Sequence, residues 1–301
     1  MSHHRNHLSK TFFYKRDFLI EENTEGFKAM WWLYYPIIGI VLRIFFIRKM
    51  WAQMMRWYYT SALSKKKIYP FVAKHKIQLQ DFIEPSAGYS SFNDFFIRRL
   101  SPGTRVIDAD PRSVISPADC KVLAYQTLTP ELLFFIKYLP FTLKTFLADE
   151  QLAAMYDGGS MLIFRLAPYD YHRFHIPVDG KIGKISEVSG LYHSVNPLVY
   201  KRGICPLLAN KRIIVPLHTQ NNGTIMMVPV GALAVGKIEL TCDEGGMLRK
   251  GDEVGYFEFG GSTVVVLCPY GFMKIDERLV DHTNHGFETA ITVGEQVGFI
   301  H

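Results

Sequence analysis

The stretch Phe259-Gly260-Gly261-Ser262-Thr263-Val264-Val265-Val266-Leu267 decides how this chain folds. Two glycines free the backbone for dihedrals that a side chain forbids, and they leave the Gly261 carbonyl open to close approach. A β-branched run follows at once, so the pattern is a tight turn entering a strand.

Working outward, similar short runs alternate with glycine and proline from Val114 onward. They are Met161–Leu166, Gly180–Ile185, Ile213–Pro216, Thr224–Val230, Ala232–Leu240 and Glu253–Phe259. This spacing predicts a mostly antiparallel β barrel or sandwich, interrupted by one helical insert from about Pro130 to Tyr156. Before it, Ser90–Leu100 reads as a capped amphipathic helix ending ahead of Pro102. With further helices at the N-terminus, the class is α+β.

The charge divides the chain into 1–70 and 71–301. Residues 1–70 hold 12 Lys/Arg against 4 Asp/Glu and all four tryptophans, Trp31, Trp32, Trp51 and Trp57. A basic, Trp-rich end on a near-neutral body points to an anionic surface touched by one end only. Met1–Glu25 is polar, with His3, His4 and His7, and reads as a mobile tail. The apolar stretch Met30–Leu42 is broken by Pro36 and Gly39, and Arg43 separates it from Ile44–Ile47. A span needs about 20 apolar residues, and a central arginine costs roughly 2.5–3.5 kcal/mol on insertion scales. The expectation is therefore amphipathic helices lying in the lipid interface, peripheral and on the cytoplasmic face of the cell membrane. RNA recognition wants aromatics and cations interleaved on a sheet, whereas here they fall on predicted helices, so no nucleic-acid partner is expected. Cys120, Cys205, Cys242 and Cys268 are scattered without a CxxC pair, which argues against a zinc site and a disulfide framework. Residues 1–25 lack the apolar core and small-residue cleavage site of a secretory signal.

Three places carry chemistry. Asp119 follows Ser116-Pro117-Ala118 between two apolar runs and belongs to a turn. His172 and His175 lie in Arg165–Pro177, an aromatic segment bounded by prolines and lacking a carboxylate or cysteine cluster, which favours acid–base work over metal binding. Ser262 completes the set. Asp119, His175 and Ser262 are the residue types that activate a hydroxyl, although sequence alone leaves open whether they meet.

The segment Lys250–Val264, together with the Asp119 and His172/His175 segments, resembles phosphatidylserine decarboxylases over about residues 90–270. Weaker matches are Ser91–Arg99, Pro140–Leu143, Ser194–Pro197 and Val230–Ala232. Gly-Gly-Ser-Thr places the chain nearer a second subgroup than the Leu-Gly-Ser-Thr of many bacterial members, and Cys120 departs from a usual glycine. The resemblance implies that the chain is cut between Gly261 and Ser262 and that Ser262 becomes a covalent pyruvoyl group. Asp119, His175 and Ser262 would form the relay for cleavage, and His172 would be the proton donor in turnover. No pyridoxal cofactor and no metal are implied. The substrate would be phosphatidylserine and the product phosphatidylethanolamine. The large and small fragments would stay together as a heterodimer, open to further oligomerisation. The rival reading is a membrane-associated serine hydrolase that uses Asp119, His175 and Ser262 without self-cleavage.

Overall fold

The computed structural model describes residues 10–16, 18–23, 27–128, 132–133, 140–220, 223–233 and 237–301. Its centre is the strand Ser262–Cys268, which pairs antiparallel with Thr224–Val230 on one side and Ser160–Leu166 on the other. These three belong to an eleven-stranded sheet that continues through Cys120–Tyr125 and Glu288–Ile291 to a hairpin at the N-terminus. The sheet stays open. Of the two architectures expected, barrel or sandwich, the body is a sandwich.

Side-chain alternation along the central strand explains the layers. Val264 and Val266 share a buried cluster with Phe174, Val254, Phe257, Ile275 and Val297, which come from two three-stranded sheets packed against that face. Val265 and Leu267 point the other way, into a cluster with Phe141, Phe146, Leu147 and Tyr156. That second face is closed by the short helices Leu143–Leu147 and Glu150–Ala154. The helical insert expected over 130–156 is therefore two single-turn-and-a-bit helices with a small strand pair, Leu132–Leu133 and Pro140–Phe141, and residues 129–131 and 134–139 lie outside the described residues.

Several boundaries move. Ser91 caps the predicted helix through its hydroxyl, accepting from the Asp94 backbone N–H, but the helix covers only Phe92–Phe96 and gives way to a strand at Arg99–Leu100. The polar tail expected over 1–25 is structured in its second half. Lys10–Lys15 and Phe18–Asn23 form a hairpin, and the first of these runs parallel to Glu288–Ile291. Tyr14 stacks on His282 at 3.8 Å, which gives this edge strand an aromatic anchor. His3, His4 and His7 lie outside the described residues.

The hairpin is also fastened by charge. Arg165 is buried and donates to the Glu288 carboxylate from Nε at 2.8 Å and to Glu22 of the hairpin from Nη2 at 2.7 Å. Tyr169 Oη donates to Glu22 at 2.9 Å, and Lys121 pairs with Asp170 at 2.9 Å beside it. Burial pushes the Glu22 carboxyl up, but the Arg165 and Lys121 charges outweigh it and hold it at about 2.

At the N-terminal end the helices Phe27–Tyr34 and Ile37–Phe46 meet at 98° across Pro36, and Lys49–Thr60 follows. Among the described residues no single helix is long and apolar enough to cross a membrane, although the bent pair passes by length and composition. Gly39, which the sequence marks as a helix weakener, is the contact point. A Cβ there would lie 1.8 Å from the Trp32 carbonyl oxygen.

Removing the guanidinium from the buried network leaves two carboxylates facing each other in a dry interior. Arg165→Met should therefore lower stability by about 3–5 kcal/mol, read as a lower urea midpoint, where a surface pair such as Lys144–Glu150 would change it by less than about 1 kcal/mol.

Candidate active site

Ser262 is the first residue of the central strand, opposite Leu166, with no exposed surface. The turn before it depends on glycine. Gly260 has φ +145°, a backbone region that side chains rarely adopt, and Gly261 faces Val195, whose Cγ2 would lie 3.2 Å from an added Cβ.

The side chain that meets Ser262 is His172. Its Nε2–H donates to the Ala167 carbonyl at 3.0 Å, because a carbonyl can only accept. That fixes the tautomer and leaves the Nδ1 lone pair to accept from the Ser262 hydroxyl at 3.1 Å. Phe96 stacks on the imidazole at 3.9 Å. Burial, seconded by the positive charge of Arg98, holds the imidazole down to about 3, so it is neutral at physiological pH. A neutral imidazole with its free lone pair on a serine hydroxyl is the arrangement of a general base.

The other two members of the expected relay are placed elsewhere. Asp119 does occupy a turn between two strands, Ser113–Ile115 and Cys120–Tyr125, as the sequence suggests. Its carboxylate, however, accepts from Arg105 Nη2 at 2.6 Å and from the Val293 backbone N–H at 2.9 Å. His175 Nδ1–H donates to the Gly251 carbonyl at 2.8 Å, and Nε2 accepts from Tyr171 Oη at 3.1 Å. Burial lowers the His175 pKa from its ordinary value, partly countered by the Gly251 carbonyl. The elements carrying the two residues touch, since the His175 backbone N–H donates to the Pro117 carbonyl at 2.8 Å. Their side chains do not join each other or Ser262 by hydrogen bonds in this arrangement. The contact expected between His175 and Ser262 is thus made by His172. His172 stands just before the strand Arg173–His175, whose pairing with Glu253–Phe257 shifts register between Phe174 and His175, and the two rings bond to different carbonyls, Ala167 and Gly251. Cys120 is accommodated, buried at the head of its strand with Sγ 3.9 Å from Ser116 Oγ.

The sequence did not single out Arg105, Tyr171 or Phe96. No motif marks Arg105, while Tyr171 lies within the Arg165–Pro177 segment and Phe96 within the capped Ser90–Leu100 segment, whose helix presents it to the imidazole.

A cavity of about 740 Å³ reaches the peptide just before the serine, lined by Gly260, Gly261, Ala167 and Asn196 from the body and by Trp32, Leu33, Phe46, Trp51 and Tyr59 from the N-terminal helices. Helices also hold the segment before Ser262 directly. Arg56 Nε donates to Glu258 at 2.6 Å, Tyr59 lies against Phe259 at 3.7 Å, and Asn93 Oδ1 accepts from the Phe259 N–H at 2.8 Å.

A family model described as phosphatidylserine decarboxylase matches residues 92–299, more than half of the chain. The chain belongs to the phosphatidylserine decarboxylase family. Among curated relatives, a phosphatidylserine decarboxylase proenzyme of Fusobacterium nucleatum is 39% identical over 92% of this chain and 93% of its own length. One from Desulfitobacterium hafniense is 37% identical over 93% of this chain and 94% of its own. Proenzyme 3 of Schizosaccharomyces pombe is 38% identical over 80% of this chain, but that region is 25% of the longer fungal protein. The family match begins at Phe92, so it takes in the catalytic body and leaves out the N-terminal helices.

The depressed His172 pKa has a measurable consequence. The unfolded chain takes up a proton near the ordinary histidine value of 6.5, whereas the folded chain refuses it down to about 3. Stability is therefore fully present above 6.5 and falls as pH drops between those values. Thermal melts should show that acid loss, and His172→Gln, which cannot titrate, should make the fall between pH 6.5 and 4 shallower.

Proposed function

We propose that the chain is a self-cleaving proenzyme that turns Ser262 into a pyruvoyl group and decarboxylates phosphatidylserine to phosphatidylethanolamine. The observation that carries this reading is a fully buried serine behind two glycines, hydrogen-bonded to a neutral imidazole at the end of a large, mostly apolar cavity. A serine hydrolase would need its hydroxyl exposed to substrate from the start. Here the nearest electrophile is the chain's own Gly261 carbonyl.

The residues fit the group. As its hydroxyl proton passes to a histidine base, Oγ of Ser262 attacks the Gly261 carbonyl carbon. The peptide C–N bond breaks as the ester C–O bond forms, and the freed Ser262 nitrogen takes a proton. Loss of the Ser262 Cα proton then expels the Gly261 carboxylate from Cβ and leaves dehydroalanine. Water replaces the nitrogen, which departs as ammonia. In turnover a pyruvoyl group at position 262 would supply the electron sink for loss of carbon dioxide from an amine-bearing substrate. His172 Nδ1 faces the Ser262 atoms, so its lone pair would take the proton that the substrate ammonium sheds and return it to substrate carbon, while Ala167 keeps the ring oriented.

Asp119 and His175 are assigned to cleavage through the family resemblance. To act there Asp119 must exchange Arg105, and His175 must exchange Tyr171 or Gly251, for new partners. Intact mass of the purified protein should show two polypeptides, residues 1–261 and a pyruvoyl-capped 262–301. One unbroken chain in an active preparation would sink the reading and favour the hydrolase. His175→Ala and Asp119→Ala should remain uncut, whereas His172→Ala should be cut yet lose about 10²-fold or more of turnover. An uncut His172→Ala beside a cut His175→Ala gives both duties to His172.

We further propose that the protein works peripherally on anionic membrane at the cytoplasmic face. Along Ile37–Phe46 the residues Ile37, Ile38, Val41, Ile44 and Phe45 are all more than half exposed, at the i, i+1, i+4, i+7, i+8 spacing of one face. Met50, Met54 and Trp57 extend the patch. Arg43 does not interrupt it, because its guanidinium turns inward over the Tyr34 ring at 5.1 Å. Patches of this kind mark interaction sites, and the lysines at 65–67 suit an anionic headgroup layer. Ile38→Asp with Val41→Asp should reduce binding to phosphatidylserine-containing vesicles at least about tenfold while leaving cleavage intact. Unchanged sedimentation with vesicles would refute the assignment.

A further inference from the structure

We infer that Lys67 is the residue that recognises the phosphodiester of the substrate, an inference that rests on the decarboxylase reading above. The substrate carries its reacting amine at one end, two acyl chains at the other and a single anionic phosphodiester between them. The cavity has the matching order. Gly260 and Gly261 stand at the reacting end, and Leu33, Phe46 and Trp51 form an apolar stretch suited to acyl chains.

Two cations line this cavity, Arg165 and Lys67. Arg165 is already neutralised by Glu288 and Glu22. Lys67 is not: among the described residues it forms no ion pair with a carboxylate, and its nearest polar neighbours are the tyrosines Tyr58 and Tyr59. Its ammonium sits 4.8 Å and 5.0 Å from the centres of those two rings. A cation held over aromatic faces is fixed in place while keeping its charge, ready for a stronger anionic partner.

Its position along the cavity also fits. The Tyr59 ring that supports Lys67 packs on Phe259 at 3.7 Å, and Phe259 precedes the Gly260-Gly261 pair. Lys67 is therefore one aromatic ring away from the cleavage segment, and only a short chain of bonds separates amine from phosphorus in the substrate. Lys65 and Lys66 lie on the same turn and are exposed, as Lys67 is, but they are outside the cavity lining, so they serve the membrane surface in general and not this ligand in particular.

The test uses full-length processed enzyme and monomeric dihexanoyl phosphatidylserine, so that membrane binding does not enter. Lys67→Met should be cut normally by intact mass, raise KM roughly tenfold and change kcat little. Lys67→Arg should restore most of the lost affinity, since guanidinium also stacks on tyrosine and binds phosphate. On the neutral methyl phosphotriester of the same lipid, wild type and Lys67→Met should be equal. An unchanged KM, or an equal loss on the neutral ester, overturns the inference. Should Lys67→Met stay uncut, wild-type enzyme alone decides: its kcat/KM must favour the anionic lipid over the phosphotriester by tenfold or more, and parity overturns the inference. Processed wild type that is inactive on phosphatidylserine overturns the decarboxylase reading and this one with it. Active wild type with an indifferent Lys67→Met overturns this one alone.

Discussion

Burying a serine and a histidine side by side with almost no exposure leaves neither of them a choice of partner. In a dry interior an unpaired imidazole nitrogen or hydroxyl costs roughly 1–3 kcal/mol, so each must be satisfied locally. The Ala167 carbonyl takes the one N–H of His172, and the Ser262 hydroxyl takes the remaining lone pair. Burial and the Arg98 charge keep the ring neutral. The protonation state, tautomer and aim of the histidine thus follow from packing. They would be lost together if the Ala167 turn moved. Asp170 holds that turn, its carboxylate accepting from the Ala167 N–H at 2.8 Å while paired with Lys121.

The same strand that supplies Leu166 beside Ser262 supplies Arg165, and Arg165 carries a buried charge cluster with Glu22 and Glu288. Through Glu22 this cluster reaches the N-terminal hairpin, and Glu22 also lines the cavity. The N-terminal region, basic and set apart by composition, is wired into the catalytic body by the Glu22 contact, by the pairing of Lys10–Lys15 with Glu288–Ile291 and by the Arg56–Glu258 pair just ahead of Phe259. The helices that present an apolar face outward are the same helices that roof the cavity.

Much of this was legible in the sequence for reasons that can be named. The β-branched runs became strands because each places alternate residues in two separate cores; Thr224–Val230 matched to the residue. Ser262, Asp119 and the His172/His175 pair were singled out because their segments resemble a family's. What the sequence hid depends on long-range pairing. Nothing local in Lys10–Asn23 announces that Glu22 meets Arg165 across 143 positions of chain. Nothing near Arg105 announces that it holds Asp119. Gly39 looked like a flaw in a helix, when its missing side chain is what lets two helices cross. Which histidine faces the serine was decided by how the chain enters the strand Arg173–His175, which spacing alone leaves open.

Cleavage between Gly261 and Ser262 would put the break at the end of the central strand and not within it. The residues after the cut supply the strand Ser262–Cys268, the strand Met273–Ile275, the helix Glu277–Asn284 and the strands Glu288–Ile291 and Gln296–Ile300. Every one of these strands pairs with chain from before the cut or with another that does: Ser160–Leu166 and Thr224–Val230, Cys120–Tyr125, Ser113–Ile115 and the hairpin strand Lys10–Lys15. Pulling the fragments apart would open both hydrophobic cores and strand the Arg165 charge without Glu288. The new end at Gly261 would remain tethered by Glu258 to Arg56 and by Phe259 to Asn93 and Tyr59. A single broken peptide bond would then free the backbone of Gly260 and Gly261 at the reacting end of the cavity and leave the scaffold as it was. That is the change a buried serine derivative needs if a lipid amine is to reach it.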